Sequence, residues 1–514
     1  MGKSAESPFP HPLLSTFRDN PDAPAFEFRS QPVSRGEVLD LTGRFAEGLR
    51  AAGLGPGSSV AMTTAVTPEG FAAQLAAHVL GCRVTGLRPG LSAAQLLHVL
   101  SRGVDAVLAD ESTAGPDLLA AAGDTPVLHL RTDLLEPHPK PGELTVCSRP
   151  DDIALIQLTS GSTGHPKGCV QTYGALNAHW AWQPGHWTGQ TSRLAPAFGR
   201  YLLFGTLTSA AIFDHLGLCL AGGGTAVIPD LPLEFPQVFE KYGITACLMT
   251  VPRLHQVLDL LRTSEVDVSS LRALTVAGSP LAPHRLAEAR ERFGPVVYQA
   301  YGQTETGILT RLNPDEPLGS VGRPCEGVRI EIRDTGDARD AQDPRDARDT
   351  RNDPLPAGRR GEIWARTDSA FTGYWQDEDQ TREIVRGGWV RTQDLGHLDA
   401  DGYLHLTGRA RDIIIVNAIV HYAGPIEHAL STHPEVDQAY VVGTPDDDTG
   451  ESAHAFIVPR TPGHAPDLDA LRARVTAELG EAAVPATITA IDSIPSAPSG
   501  KPDKRALIPL IPRD

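Results

Sequence analysis

Apolar residues in the first three hundred positions recur with two different periods. From Gly36 to Ala52 they return every three or four residues (Val38, Leu41, Phe45, Leu49), the spacing of one face of a helix. The same reading predicts helices over Ser92 to Ser101, Pro252 to Arg262 and Pro283 to Phe293. Short runs rich in Val, Ile, Ala and Thr lie between them and predict strands at Val60 to Thr64, Asp105 to Ala109, Thr225 to Ile228, Ala246 to Thr250, Ala273 to Val276 and Val296 to Gln299. Helix and strand in alternation favour layered α/β sheets with parallel strands, whose ligands bind beyond the carboxyl ends.

Two breaks interrupt this pattern. Residues 333 to 353, RDTGDARDAQDPRDARDTRND, alternate Arg with Asp and carry almost no apolar side chain, so the segment reads as a mobile surface insertion between strands. Beyond Gly408 the pattern changes to strands near Ile413 to Val416, Ala439 to Val442 and Ala455 to Val458, with helices near Ile426 to Leu430 and Leu468 to Leu479. That is enough for a small α+β domain. The expected organisation is α/β, with a large N-terminal domain (1–410) of layered α/β subdomains and a small C-terminal α+β domain (411–514) joined by a hinge.

Length and composition fit that division, since 514 residues exceed one ordinary core. A net charge of -18 repels nucleic acid and anionic membrane surfaces, which removes both as expected partners. The six cysteines are scattered without metal-ligand or CxxC spacing, and no apolar run is long enough to span a bilayer. A cytoplasmic protein with reduced thiols, not inserted in a membrane, is expected. Lysine is scarce, at positions 3, 140, 167, 241, 501 and 504 only, so its placement is informative.

The strongest chemical signal is the run Thr159-Ser160-Gly161-Ser162-Thr163-Gly164-His165-Pro166-Lys167-Gly168, which follows the β-rich segment Ile153 to Leu158. Glycines allow backbone N–H groups to turn inward, hydroxyls add donors and the lysine adds a point charge, which together cradle polyphosphate. The spacing is not that of a Walker loop. Further on, Tyr301-Gly302-Gln303-Thr304-Glu305 places a carboxylate beside a hydroxyl near a strand end, a donor set suited to Mg2+ on phosphate.

In order and composition these stretches resemble the adenylate-forming superfamily of acyl-CoA synthetases, peptide-synthetase adenylation domains and firefly-type luciferases, most nearly its acyl-CoA synthetase branch. The resemblance implies ATP/AMP, Mg2+ and CoA as cofactors and a small carboxylic acid as substrate. It makes Thr159 to Gly164 and Lys167 the phosphate loop, Thr304 a contact to the α-phosphate, Glu305 the Mg2+ ligand and Tyr301 the residue on the adenine. Gln299, Ala300 and Gly302 flank the same pocket, and Gln299 stands where Asn or Asp is frequent. Ala277-Gly278-Ser279-Pro280-Leu281 resembles the adenine-side turn, where Gly278 and Ser279 admit purine and acyl group. Asp394 in Thr392-Gln393-Asp394 and Arg409 in Gly408-Arg409 resemble the ribose-binding pair, although such a pair can equally form a plain salt bridge. Gly361-Glu362-Ile363 and Gly373-Tyr374-Trp375 look like a structural strand pair without a catalytic role. Pro498-Ser499-Gly500-Lys501 resembles the C-terminal catalytic lysine motif, Pro502 favouring an extended loop that reaches the other domain. Arg411 falls at the hinge.

Departures from the family's pattern bear on the second half of the reaction. Ile415 or Asn417 stands near the place of a typical Lys, and Ala418 where a Gly beside the thiol tunnel is typical; a methyl group at 418 narrows a tunnel. In the acyl-pocket stretch, Arg193 to Phe213, no gating His is placed, and Gly199, Gly205, Ala210 and Ala211 leave room for a bulky or long apolar acid. The expected activity is ATP-dependent conversion of that acid to acyl-AMP and transfer to CoA, in a setting such as secondary metabolism. The alternatives are a single half-reaction, either acyl-AMP formation for an acyl carrier protein or thioester formation from a supplied adenylate, and a non-catalytic ligand-binding relative.

Overall fold

A computed structural model of the chain describes residues 8–159, 166–334, 353–409, 412–416, 419–446, 450–464, 466–497 and 501–512. The Arg/Asp-rich stretch, Arg411 expected at the hinge, Asn417 and Ala418 expected at the thiol tunnel, and Ser160 to His165 lie outside these, wholly or for the most part.

The helix expected from Gly36 runs Arg35–Ala51, started by a capping box in which Ser34 and Glu37 satisfy each other's backbone N–H groups. Its apolar stripe, Val38, Phe45, Ala46 and Leu49, is fully buried. The helices Ala93–Leu100, Val251–Leu261, Pro283–Phe293 and Leu468–Leu479 follow the predicted spans within a residue or so.

Four sheets organise the described residues. A nine-stranded sheet has a parallel centre (Ala273–Ala277, Ala246–Thr250, Arg200–Leu202, Thr225–Ile228, Pro24–Phe28), flanked on one side by the antiparallel hairpin of Val297–Gln303 and Gly307–Leu312. A seven-stranded sheet runs from Gly373–Tyr374 through the hairpin Lys167–Thr172 and Ile153–Thr159 to parallel strands Arg83–Gly86, Ser59–Thr63, Ala106–Ala109 and Val127–His129. The third sheet is antiparallel and includes Gly361–Arg366, Trp389–Leu398 and Leu404–Arg409. The fourth sheet, with Gly450–Pro459 at its centre and Val436–Asp446 along one edge, encloses a core of its own: Ile414, Ile426, Leu430, Val441, Ile457, Leu471 and Ile488. A separate core is the physical mark of a separate domain, so the molecule has a large N-terminal α/β part and a small C-terminal one.

One expectation is corrected. Gly361–Arg366 and Gly373–Tyr374 are not paired: the first lies between Arg329–Arg333 and Trp389–Leu398, whereas the second adds to Lys167–Thr172 in another sheet. Six intervening residues are enough for the chain to change sheets.

Candidate active site

Side chains from three of the sheets and from the loop that carries Lys501 come together. In the seven-stranded sheet, Thr159 and Lys167 are cross-strand neighbours that bracket residues 160–166, the segment expected to hold phosphate. The Lys167 ammonium sits 5.5 Å from the centre of the Tyr374 ring, which faces it from the adjacent edge strand. Tyr374 in turn donates from its hydroxyl to Glu305 Oε1 at 2.8 Å, and the Glu305 carbonyl accepts from Phe371 N–H at 2.9 Å. Thr304 and Glu305 occupy the turn between Val297–Gln303 and Gly307–Leu312. Tyr374, assigned only a structural part from sequence, therefore orients the carboxylate expected to hold Mg2+.

The third sheet supplies Asp394 and Arg409, which face each other directly across antiparallel strands. Arg409 Nε lies 3.4 Å from Asp394 Oδ1, so the ion pair forms. The other oxygen, Oδ2, accepts from the Tyr301 hydroxyl and from Gln303 Nε2, both at 2.7 Å. Burial pushes the Asp394 carboxyl above its ordinary value, opposed by the Arg409 charge and these two hydrogen bonds. Gln303 also donates to the Thr392 carbonyl at 2.8 Å, which fixes its amide. Gln393, between them, has φ of 60°, a conformation rare outside glycine, at an irregularity in the strand Trp389–Leu398 where its register on Gly361–Arg366 shifts. Gln299 and Ala300 are buried on the strand leading to Tyr301, and at Gly302 a side chain would collide with the Gly307 carbonyl.

Gly278 follows the strand Ala273–Ala277 with φ of 99°, and a Cβ placed there would stand 3.8 Å from Lys501 Cε. The aliphatic arm of the C-terminal lysine thus lies across the N-terminal adenine-side turn. Beside it the Ser279 hydroxyl is buried with no hydrogen-bond partner among the described residues, an orphan that a polar ligand would satisfy. Lys501 is exposed as a residue, yet desolvation of its ammonium end in the cleft, with the Arg409 charge, lowers its pKa; the Glu305 and Asp394 carboxylates partly oppose this. The lysine is held by its own loop, in which Ala497 N–H donates to the Lys501 carbonyl at 2.8 Å and Ser496 pairs with Pro502. Lys504, three residues on, ties that loop down through Asp412 (2.7 Å) and Glu427 (2.8 Å).

Three of these participants have little signal in the sequence alone. Gln303 and Tyr374 lie inside quoted motifs, but their partner carboxylates are 91 and 69 positions away. Arg88 lies two residues beyond the strand Arg83–Gly86, and its charge also acts to lower the Lys501 pKa.

Among the described residues no three His, Cys, Asp or Glu side chains converge as a metal cage. One carboxylate, Glu305, oriented beside a phosphate loop, fits Mg2+ that takes most of its ligands from phosphate and water. The buried Ser279 hydroxyl and the side-chain-free floor at Gly278 fit a nucleotide lying between Tyr301 and Lys501.

In the acyl-pocket stretch, Gly205 lies beyond the carboxyl end of Arg200–Leu202, with Ala210 and Ala211 opening the next helix. Gly199 instead precedes that strand, near Thr245, at the opposite end of the sheet from Gly278, so it does not enlarge a pocket at the cleft. Sequence also missed His179: its Nε2 is 3.3 Å from the buried Asp214 and 3.9 Å from where a Cβ of Gly307 would be. Desolvation moves the two in opposite senses, His179 down to about 4 and Asp214 well up, so the neutral pair is favoured.

Residues 15–375 match the AMP-binding enzyme family and residues 425–501 its C-terminal domain. The chain belongs to the AMP-binding enzyme family, the adenylate-forming superfamily, in its acyl-CoA synthetase branch. Its class is that of the AMP-forming acid–thiol ligases. It is 30% identical to the 2-succinylbenzoate–CoA ligase of Geobacillus kaustophilus, covering 93% of each chain, and 27% identical to a medium/long-chain-fatty-acid–CoA ligase of Mycobacterium tuberculosis over 97% of this chain and 89% of that one. The structure of the amide bond synthetase McbA from Marinactinospora thermotolerans superposes with a TM-score of 0.79 at 31% identity, over 97% and 99% of the two chains. Among the described residues no helix is long and apolar enough to cross a membrane.

Proposed function

We propose that the protein activates a carboxylic acid with ATP and transfers the acyl group to the thiol of CoA. The observation that carries this reading is Lys501 lying across Gly278, with the Glu305 and Asp394 carboxylates close enough to act on its charge. A carboxylate oxygen attacks the α-phosphorus of ATP, the α–β phosphoanhydride breaks and pyrophosphate leaves. The Lys501 ammonium neutralises charge between the carboxylate and the α-phosphate; Lys167, Thr159 and the loop 160–164 hold the departing phosphates, and Thr304 contacts the α-phosphate. Such a site works by positioning and by preorganised charge. Mg2+, when bound at Glu305, neutralises phosphate charge. Asp394 and Arg409 serve the ribose, while Tyr301, Gln299, Ala300, Gly302, Gly278 and Ser279 enclose the adenine end.

In the second step the thiol sulfur attacks the acyl carbon of acyl-AMP, loses its proton, and AMP leaves. We place the domain boundary at 410/411 with Arg411 as hinge, Asn417 and Ala418 at the thiol tunnel, and the enzyme in the cytoplasm. For the acid we favour a bulky or long apolar body entering beside Gly205, Ala210 and Ala211. Carrier-protein thiols are the alternative acceptor.

A second reading takes an amine as acceptor, favoured by the likeness to an amide bond synthetase over nearly the whole chain. One mass-spectrometric panel separates these readings. Aliphatic, aromatic and polycyclic acids are incubated with ATP and Mg2+, alone, with CoA or with a primary amine, beside wells given synthetic acyl-AMP plus CoA. Acyl-CoA from free acid is the expected product. Amide without thioester selects the second reading, and acyl-AMP alone reduces the activity to one half-reaction.

A further inference from the structure

Asp437 opens the strand Val436–Asp446 of the C-terminal domain, yet its carboxylate is bound by the N-terminal one. Arg285, on the helix Pro283–Phe293, donates to it twice, from Nε to Oδ1 at 2.5 Å and from Nη2 to Oδ2 at 2.7 Å. Both side chains are almost wholly buried, at 6% and 4% exposure. His284 Nε2 adds a third contact to Oδ1 at 3.2 Å. Two parallel guanidinium–carboxylate bonds fix angle as well as distance, so this pair sets the orientation of one domain on the other.

The two partners are supported unequally. Arg285 is also held in its own domain by Asp259 (3.2 Å) and Glu288 (3.0 Å). Among the described residues of its own domain, Asp437 has only Gln438, at 3.5 Å. If the domains part, Arg285 keeps two carboxylates and Asp437 passes into water, so neither charge is stranded in an apolar interior. Removing Arg285 from the docked pair leaves the buried Asp437 with only His284 and Gln438 among the described residues, which is the costly event. This asymmetry makes a connection that opens and closes as a unit while penalising a misfit in the docked state.

We propose that Arg285 and Asp437 are positioning residues that hold the C-terminal domain in the orientation where Lys501 reaches Gly278, and that they release it for the second half-reaction. The inference rests on the adenylation reading for its purpose. Its structural content, a charge pair that controls domain docking, is testable without knowing the acid.

The test uses the full chain without ligand and with Mg2+-ATP, read by hydrogen–deuterium exchange. In Asp437→Asn and in Arg285→Gln, peptides covering 283–293 and 436–446 are expected to exchange together about tenfold faster, the factor that corresponds to about 1.4 kcal/mol. Peptides from 297–312 and 468–479, inside the two cores, keep their protection and report that both domains remain folded. Asp437→Glu, which retains the charge, restores much of the protection. With an acid that the wild type turns over, pyrophosphate release falls about tenfold in Asp437→Asn, whereas thioester formation from supplied acyl-AMP is kept or rises. Exchange that changes only in the element carrying the substitution, or in neither, overturns the proposal. Coupled exchange without any acyl-AMP chemistry would keep the docking pair and remove the adenylation reading.

Discussion

The Tyr374 hydroxyl donates to Glu305 Oε1 at 2.8 Å, joining the edge strand of one sheet to the turn of another. The same phenol ring lies under Lys167. One side chain therefore sets the positions of both the carboxylate and the ammonium expected to meet the phosphates.

Tyr374→Phe keeps the ring under Lys167 and deletes the hydrogen bond to a charged partner, worth about 1.5–3 kcal/mol. The expected outcome is a rise of about tenfold or more in the Mg2+ concentration needed for half-maximal pyrophosphate release. An unchanged Mg2+ titration would show that Glu305 is oriented without Tyr374.

Lys501→Ala should depress adenylate formation by about 10²–10³-fold, the cost typical of losing one preorganised charge-stabilising donor. Thioester formation from synthetic acyl-AMP should survive. Equal loss in the two assays would contradict a lysine that serves only the first step.

Gly424, at the start of the C-terminal domain, packs on Gly408: a Cβ at 424 would come within 2.4 Å of the Gly408 Cα. Gly424→Ala forces these backbones apart, at about 1–3 kcal/mol as for other overpacked contacts. Adenylation should fall about tenfold or more, with each domain's fold intact by circular dichroism. An unaffected rate would mean that this close approach is not needed for the first step.

Alkaline pH should act through Lys501. Its pKa is lowered, so the ammonium loses its proton at a lower pH than a free lysine would. The sign follows: activity that requires the charged form is present below this depressed value and lost as pH rises through it, before the ordinary lysine range is reached. The pH profile of pyrophosphate release should show this limb, and thioester formation from acyl-AMP should lack it. A shared limb would assign it to another group.

Much of this architecture is written locally in the chain. The helix Leu468–Leu479 and the strand Thr225–Ile228 could be read to the residue, because periodicity and caps act over a few positions. Motif composition likewise marked the residues proposed to meet the nucleotide, since phosphate, ribose and metal each demand particular donor types close in sequence. Asp394 and Arg409 were legible as a pair, and they lie opposite each other on adjacent strands.

Tertiary structure decided what depends on distant segments meeting. No local rule tells Tyr374 to face Glu305, sends 373–374 to a different sheet from 361–366, or places Gly199 at the end of its sheet away from Gly278. Asp437 and Arg285 are 152 positions apart, and each alone reads as a surface charge. Sequence determined which elements form and which chemical groups the site contains. Packing of the sheets and docking of the two domains determined which groups share the cleft, because burial, pairing and orientation exist only once the elements touch.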